Sequence, residues 1–185
     1  MISPWHDITL QDKTQTWYHF ICEIPKWTRQ KMEMDVDDRN HRIKQDTLSD
    51  GSLRYYTHGD IFFNYGFMPQ TWENPKASSK WSSYPGDGDP LDCIEIGLSA
   101  LNMGGAYRVK VLGCLGMIDE GCTDWKLIVI QENEPLASSI QDLIVDTIYG
   151  MFCCIPALAS DSCRYCSQSC NAISLFVAFN QALVL

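Results

Sequence analysis

Polar and apolar positions alternate with a period of two through several short stretches of this chain, the pattern of strands buried on one side. Over residues 17–24, Trp17, His19, Ile21 and Glu23 fall on one side and Tyr18, Phe20, Cys22 and Ile24 on the other, so Glu23 ends an aromatic-rich strand just before Pro25. Residues 31–34 alternate again, setting Lys31 and Glu33 together and Met32 and Met34 opposite. The turn Ser49-Asp50-Gly51-Ser52 leads into a third strand at 53–56, and residues 107–115 and 125–130 supply two more. The stretch Asn64-Tyr65-Gly66-Phe67-Met68-Pro69-Gln70-Thr71-Trp72 is too aromatic for a plain linker and predicts a pocket-lining loop. Glu134 and Pro135 open a helix through about Thr147, with Ile140, Leu143 and Ile144 as its core-facing stripe. Many short strands and few helical patterns predict a small barrel or sandwich.

The 185 residues suffice for one domain burying ~70% of its unfolded surface. A formal net charge of −9 argues against a nucleic-acid partner, because a phosphate backbone calls for clustered Lys and Arg. No basic leader with an apolar run opens the chain, and no run of about 18 apolar residues occurs, so secretion and membrane spanning are not expected. Of nine cysteines, Cys22, Cys93, Cys114 and Cys122 lie in the body and read as reduced thiols of a cytoplasmic protein. The composition then changes. After about Met151 only Asp161 and Arg164 are charged, and five cysteines precede an apolar end. We therefore expect a domain over 1–150 and an atypical tail over 151–185. Cys163, Cys166 and Cys170 lack a well-spaced fourth partner for zinc.

Asp87-Gly88-Asp89-Pro90-Leu91-Asp92 carries the chemistry. Two like charges ~4 Å apart repel by ~1 kcal/mol in water and ~4 kcal/mol in a partly buried site, so three carboxylates in six residues call for a cation between them. Gly88 permits a tight turn, Pro90 stiffens it, and Leu91, Cys93, Ile94 and Ile96 anchor it in a core. An acidic surface turn without a ligand is the alternative. Asp119 and Asp124 add acids further on. If 124–130 is extended, Asp124 and Lys126 share one face and Trp125 the other, which sets a metal ligand beside an anion-binding ammonium. Oxygen ligands favour Mg²⁺ or Mn²⁺ over zinc, and the histidines at 6, 19, 41 and 58 lack metal-ligand spacing.

These segments resemble the soluble family I inorganic pyrophosphatases, particularly the eukaryotic branch. The resemblance rests on Asp87-Gly88-Asp89-Pro90-Leu91-Asp92 and Asp119-Glu120-Gly121-Cys122-Thr123-Asp124-Trp125-Lys126, with Glu23-Ile24-Pro25-Lys26-Trp27, Lys31-Met32-Glu33 and Asn64-Tyr65-Gly66 in the family's order. It covers residues from about 3 to 148. It implies an α+β, mainly β fold, a small five-stranded OB-like barrel with flanking helices, and Mg²⁺-dependent hydrolysis of inorganic diphosphate, with Mn²⁺ as a substitute. By matching positions it implies Asp87, Asp92 and Asp124 for the tightest metal site. Asp119 would help with a further ion and Glu23 would belong to the outer shell. Asp89 would be the general base, Lys31, Arg54, Tyr65 and Lys126 phosphate contacts, and Glu33 a further site acid. Read from the residues alone, Lys31 and Glu33 could be an exposed cross-strand pair, Arg54 could stack on Tyr55 or Tyr56, Tyr65 could be a pocket wall, and Glu23 a solvated strand end.

The chain also departs from the family. A C-terminal Tyr-Lys phosphate pair and the covering C-terminal helix are not recognisable after residue 148, nor are the usual N-terminal strands, and Ile61 stands where a second active-site tyrosine is common. The alternative to an active enzyme is thus a catalytically impaired relative that binds Mg²⁺ or joins a full-length subunit. A homodimer or such a heterodimer is the expected partnership, and the cytoplasm the expected location, with a mitochondrial form as the alternative.

Overall fold

A computed structural model of the chain describes residues 2–140. The part of the expected helix beyond Ile140, the boundary near residue 150 and everything expected of the tail lie outside these residues. Seven strands form: β1 Tyr18–Ile24, β2 Met32–Met34, β3 Ile43–Gln45, β4 Asn64–Phe67, β5 Asp92–Glu95, β6 Ala106–Asp119 and β7 Cys122–Gln131. Five of them close into a barrel in the order β1-β4-β5-β7-β6, while β2 and β3 pair separately as a hairpin. All barrel pairings are antiparallel except β5 with β7. Among the described residues there is no α-helix, and the opening of the expected one, 134–139, is a series of turns.

Closure of the barrel hides what alternation alone would reveal. Cys22, Gly66, Cys93, Leu127 and Cys114 are paired in sequence around the barrel, so they form one lateral row facing the same way. Four of them join Phe20, Val109 and Val129 in a single buried cluster. The outer side of β1 is covered too, since Ile21 packs with Trp5, Met34 and Phe67. Gly66 is required in this row, because a Cβ there would lie 1.9 Å from the Ile21 carbonyl oxygen.

Two expectations of local structure are corrected, and one strand appears that was not anticipated. Residues 64–67 are a barrel strand rather than a loop, and 92–95 are another. Both are too fully buried to alternate. The expected strand at 53–56 is reduced to isolated bridges, Gln30 with Tyr55 and Thr47 with Leu53. A buried polar knot fixes β4 in place. The Asn64 side-chain nitrogen donates to Glu95 Oε2 at 2.7 Å and to the Ser99 carbonyl at 2.9 Å, and its oxygen accepts from the Lys26 and Leu101 amides, each at 2.9 Å. Tyr65, the next residue, inherits that fixed position.

Candidate active site

The aspartate loop is held by its own backbone. The Glu73 amide donates to the Asp89 carbonyl at 2.8 Å and the Gly88 amide to the Glu73 carbonyl at 2.9 Å, a reciprocal pair that ties Glu73 to the loop. A Cβ on Gly86 would lie 2.3 Å from the Glu73 carbonyl carbon, and Gly88 has φ +96°, so glycine is needed at both positions. The Asp89 amide donates to Asp87 Oδ1 at 2.9 Å, an Asx turn that holds the exposed Asp87 carboxylate against its own loop. The loop joins β7 where the Thr123 amide donates to the Pro85 carbonyl at 2.6 Å.

This arrangement gathers one oxygen each from Glu73, Asp87 and Asp124 within 4.8 Å of one another. Glu73 Oε1 accepts from the Trp125 amide at 3.1 Å, whereas Oε2 is buried with no partner among the described residues. Burial, then the charges of Asp87 and Asp124, push the Glu73 carboxyl up to about 9. Asp124 is pushed up to about 6, chiefly by burial against the pull of Lys126, and Asp87 is raised by burial. An orphaned buried oxygen in an all-carboxylate set has the chemistry of a hard-cation site, so these residues fit a divalent ion.

Glu73 did not emerge from the sequence. Its only signal is that it is the sole acid between Asp60 and Asp87, at the end of the aromatic stretch. Asp92, expected beside Asp87, acts on the Asp87 carboxyl by charge and accepts a hydrogen bond from the Lys126 ammonium, which also donates to Asp124 Oδ1 at 2.6 Å. The shared face expected for Asp124 and Lys126 is therefore present. Asp119 lies at the end of the β6–β7 hairpin, paired with Cys122 across a Glu120-Gly121 turn in which both residues have positive φ.

Beside the acidic cluster a cleft of about 280 Å³ is lined by Glu23, Lys31, Glu33, Tyr65, Asp89 and Asp92 among others. Glu23 reaches it through a bulge: Cys22 pairs with Gly66 and Ile24 with Tyr65, which leaves Glu23 as the extra residue. Its Oε1 accepts from the Met34 amide at 2.5 Å, and burial, then Asp92, raise its carboxyl well above the ordinary range. Lys31 meets Glu33 at 3.1 Å. Asp89 is pushed up to about 6 by partial desolvation, then by Asp87 and Asp92. Tyr65 is buried, with the Lys126 ammonium 5.7 Å from its ring centre. Arg54 is engaged by Asp46 at 2.8 Å, so it is not presented singly to the cleft. The four cysteines of the described residues are free thiols, and burial pushes Cys22 and Cys114 up to about 12.

Fold and site together define a closed β-barrel protein with a carboxylate cluster able to hold a cation, bordered by lysines and a buried tyrosine. The chain belongs to the inorganic pyrophosphatase family, whose model, described as "Inorganic pyrophosphatase", matches residues 20–152. It is 44% identical over 148 residues to an inorganic pyrophosphatase of Drosophila melanogaster, covering 77% of this chain and 44% of that protein. With the mouse inorganic pyrophosphatase it shares 42% identity over 146 residues, covering 77% and 50%. The chain thus spans about half the length of the curated relatives it matches. Among solved structures, an N-terminally truncated vacuolar soluble pyrophosphatase of Trypanosoma cruzi in complex with PPi superposes with TM-score 0.76 at 44% identity, covering 86% of this chain and 63% of that one.

Proposed function

We propose that this chain binds Mg²⁺ and hydrolyses inorganic diphosphate to two phosphates. The observation that carries the reading is the convergence of Glu73, Asp87 and Asp124 oxygens within 4.8 Å, one of them buried and unpartnered, beside the Lys126 ammonium. An all-oxygen set suits Mg²⁺, with Mn²⁺ as a substitute, and to the same metal binding we assign Asp92, Asp119 and Glu23 as further acids. When bound, such ions make water acidic and neutralise phosphate charge. Asp89, which lines the cleft with Asp92, then takes the proton from the attacking water. Lys31, Arg54, Tyr65 and Lys126 hold the phosphate oxygens by charge and hydrogen bonding, and Glu33 keeps Lys31 in place. Arg54 must exchange its bond to Asp46 for one to phosphate in doing so. Association with a second copy or a full-length subunit belongs to the same proposal and is checked by the mass of the protein in solution.

Phosphate release from diphosphate, followed with and without Mg²⁺ on this chain and on Asp89→Asn, tests the reading. Release that requires Mg²⁺ and falls ~10²-fold or more in the variant is expected. A chain that releases no phosphate at any Mg²⁺ concentration overturns it.

A further inference from the structure

Residues 29–31 and 54–56 run side by side outside the named strands. The Tyr56 amide donates to the Arg29 carbonyl at 2.8 Å and the Lys31 amide to the Arg54 carbonyl at 3.1 Å, with Gln30 bridged to Tyr55 between them. In this antiparallel register Lys31 stands opposite Arg54 and Arg29 opposite Tyr56. Lys31, Arg54 and Tyr56 therefore share one face, and Tyr56 is the diagonal neighbour of Lys31, a spacing that aromatic and long side chains bridge. The exposures agree: Leu53 and Tyr55 are 51% and 43% exposed, while Arg54 and Tyr56 are half-buried. The Tyr56 ring packs against the buried cluster of Ile24, Ile61, Phe63, Tyr65 and Ile94, which fixes where its hydroxyl can reach. Ile61, in the same cluster, offers that wall no hydroxyl.

We infer that Tyr56 is a positioning residue for the Lys31 ammonium, its phenol oxygen accepting a hydrogen bond that turns this cation toward an anion in the cleft. A phenol accepts from an ammonium and still has its own O–H to donate, so Tyr56 supports the anion site without adding charge. The Lys31 ammonium already donates to Glu33 Oε2 at 3.1 Å and has further hydrogens to give. The inference rests on the diphosphate reading for the identity of the anion, but not for the contact with Lys31.

Tyr56→Phe removes the hydroxyl and keeps the ring. The ¹⁵N signal of the Lys31 ammonium in the metal-free protein, assigned through Lys31→Met, should shift in Tyr56→Phe. The KM for diphosphate with Mg²⁺ should rise roughly tenfold or more, the worth of one hydrogen bond to a charged group, with the melting temperature little changed. In the Lys31→Met background the same Tyr→Phe change should have no further effect on KM. An unmoved Lys31 signal with unchanged KM overturns the inference, as does a Tyr56→Phe protein that loses stability alone. If the parent chain binds no diphosphate, the diphosphate reading fails while the Lys31 signal still decides the role of Tyr56.

Discussion

Replacing Lys126 with methionine should destabilise the metal-free protein in a way that both pH and Mg²⁺ reverse. Its ammonium touches Asp92 and lies 2.6 Å from Asp124, with the three side chains only 12%, 22% and 10% exposed. One cation here restrains two carboxylates that repel each other. Opposite charges ~4 Å apart in a partly buried setting attract by ~4 kcal/mol, and removing one partner of a buried pair costs about 3–5 kcal/mol. Proton uptake by the remaining acids offsets part of this. Asp124 already titrates at about 6 with Lys126 present. A carboxyl raised in the folded state adds stability at low pH and loses it as pH climbs through the folded value. Without Lys126 that value rises further, so the variant should approach the parent at pH 5 and trail it by about 3 kcal/mol at pH 8. For a domain of this size the deficit is about 6–12 °C in melting temperature. Mg²⁺ at 100 times its Kd adds about 2.7 kcal/mol to any protein that binds it only when folded, and the variant, freed of a competing cation, should gain more than the parent. Thermal melts at both pH values, with and without millimolar Mg²⁺, supply the comparison. A gap that ignores pH and Mg²⁺ would refute the view of Lys126 as an internal counter-ion.

At pH 7 the metal-free Glu73 carboxyl, titrating at about 9, holds a proton. Mg²⁺ binding should therefore release about one proton, measured calorimetrically in buffers of different ionisation enthalpy, and Glu73→Gln should abolish that release. By the same linkage, metal-free stability should decline from about pH 4.5 to 9 in the parent and less steeply in Glu73→Gln; equal proton counts in both would exclude Glu73 from the cation site. Asp89→Asn should lower turnover ~10²–10⁴-fold with Mg²⁺ affinity within a few fold, whereas Asp87→Asn should weaken both, and matching losses of affinity would undo the division of roles. Asn64→Ala breaks four hydrogen bonds of a fully buried side chain, two to side-chain or carbonyl acceptors and two from amides; urea denaturation should give a loss of about 4 kcal/mol, and one below about 1 kcal/mol would mean that the knot does not hold β4.

What the sequence made legible follows from how local each signal is. β1, β6 and β7 are long enough for alternation to be seen, and the period of two puts Asp124 and Lys126 on one face, where they meet at 2.6 Å. β4 carries no such pattern. Asn64, Tyr65, Gly66 and Phe67 are all buried, and Gly66 is present because a neighbouring carbonyl leaves no room for a Cβ, a fact of tertiary packing. Residues 53–56 err in the opposite direction: their alternation is real, and exposure follows it, yet no continuous ladder forms beside them. Glu73 was invisible for a third reason. An acid becomes part of a cation site through distances to Asp87 and Asp124, and the loop that sets those distances closes only when Gly86 and Gly88 pass against the Glu73 backbone.

The devices that place these acids use backbone and packing rather than charge. A bulge aims Glu23, an Asx turn holds Asp87, a reciprocal amide pair ties Glu73 to the aspartate loop, and strand period sets Asp124 beside Lys126. Each is made by backbone or packing contacts of the chain itself. The acids are therefore held at short range by interactions that their repulsion must strain against, and Lys126 and Lys31 are the cations the chain itself places against them. Under the proposed reading an ion would find oxygens of Glu73, Asp87 and Asp124 already within 4.8 Å of one another and would demand little rearrangement. Under that reading the repulsion among these acids, relieved without an ion by Lys126 and by the proton on Glu73, would favour cation binding, and the same carboxylates would link binding to stability.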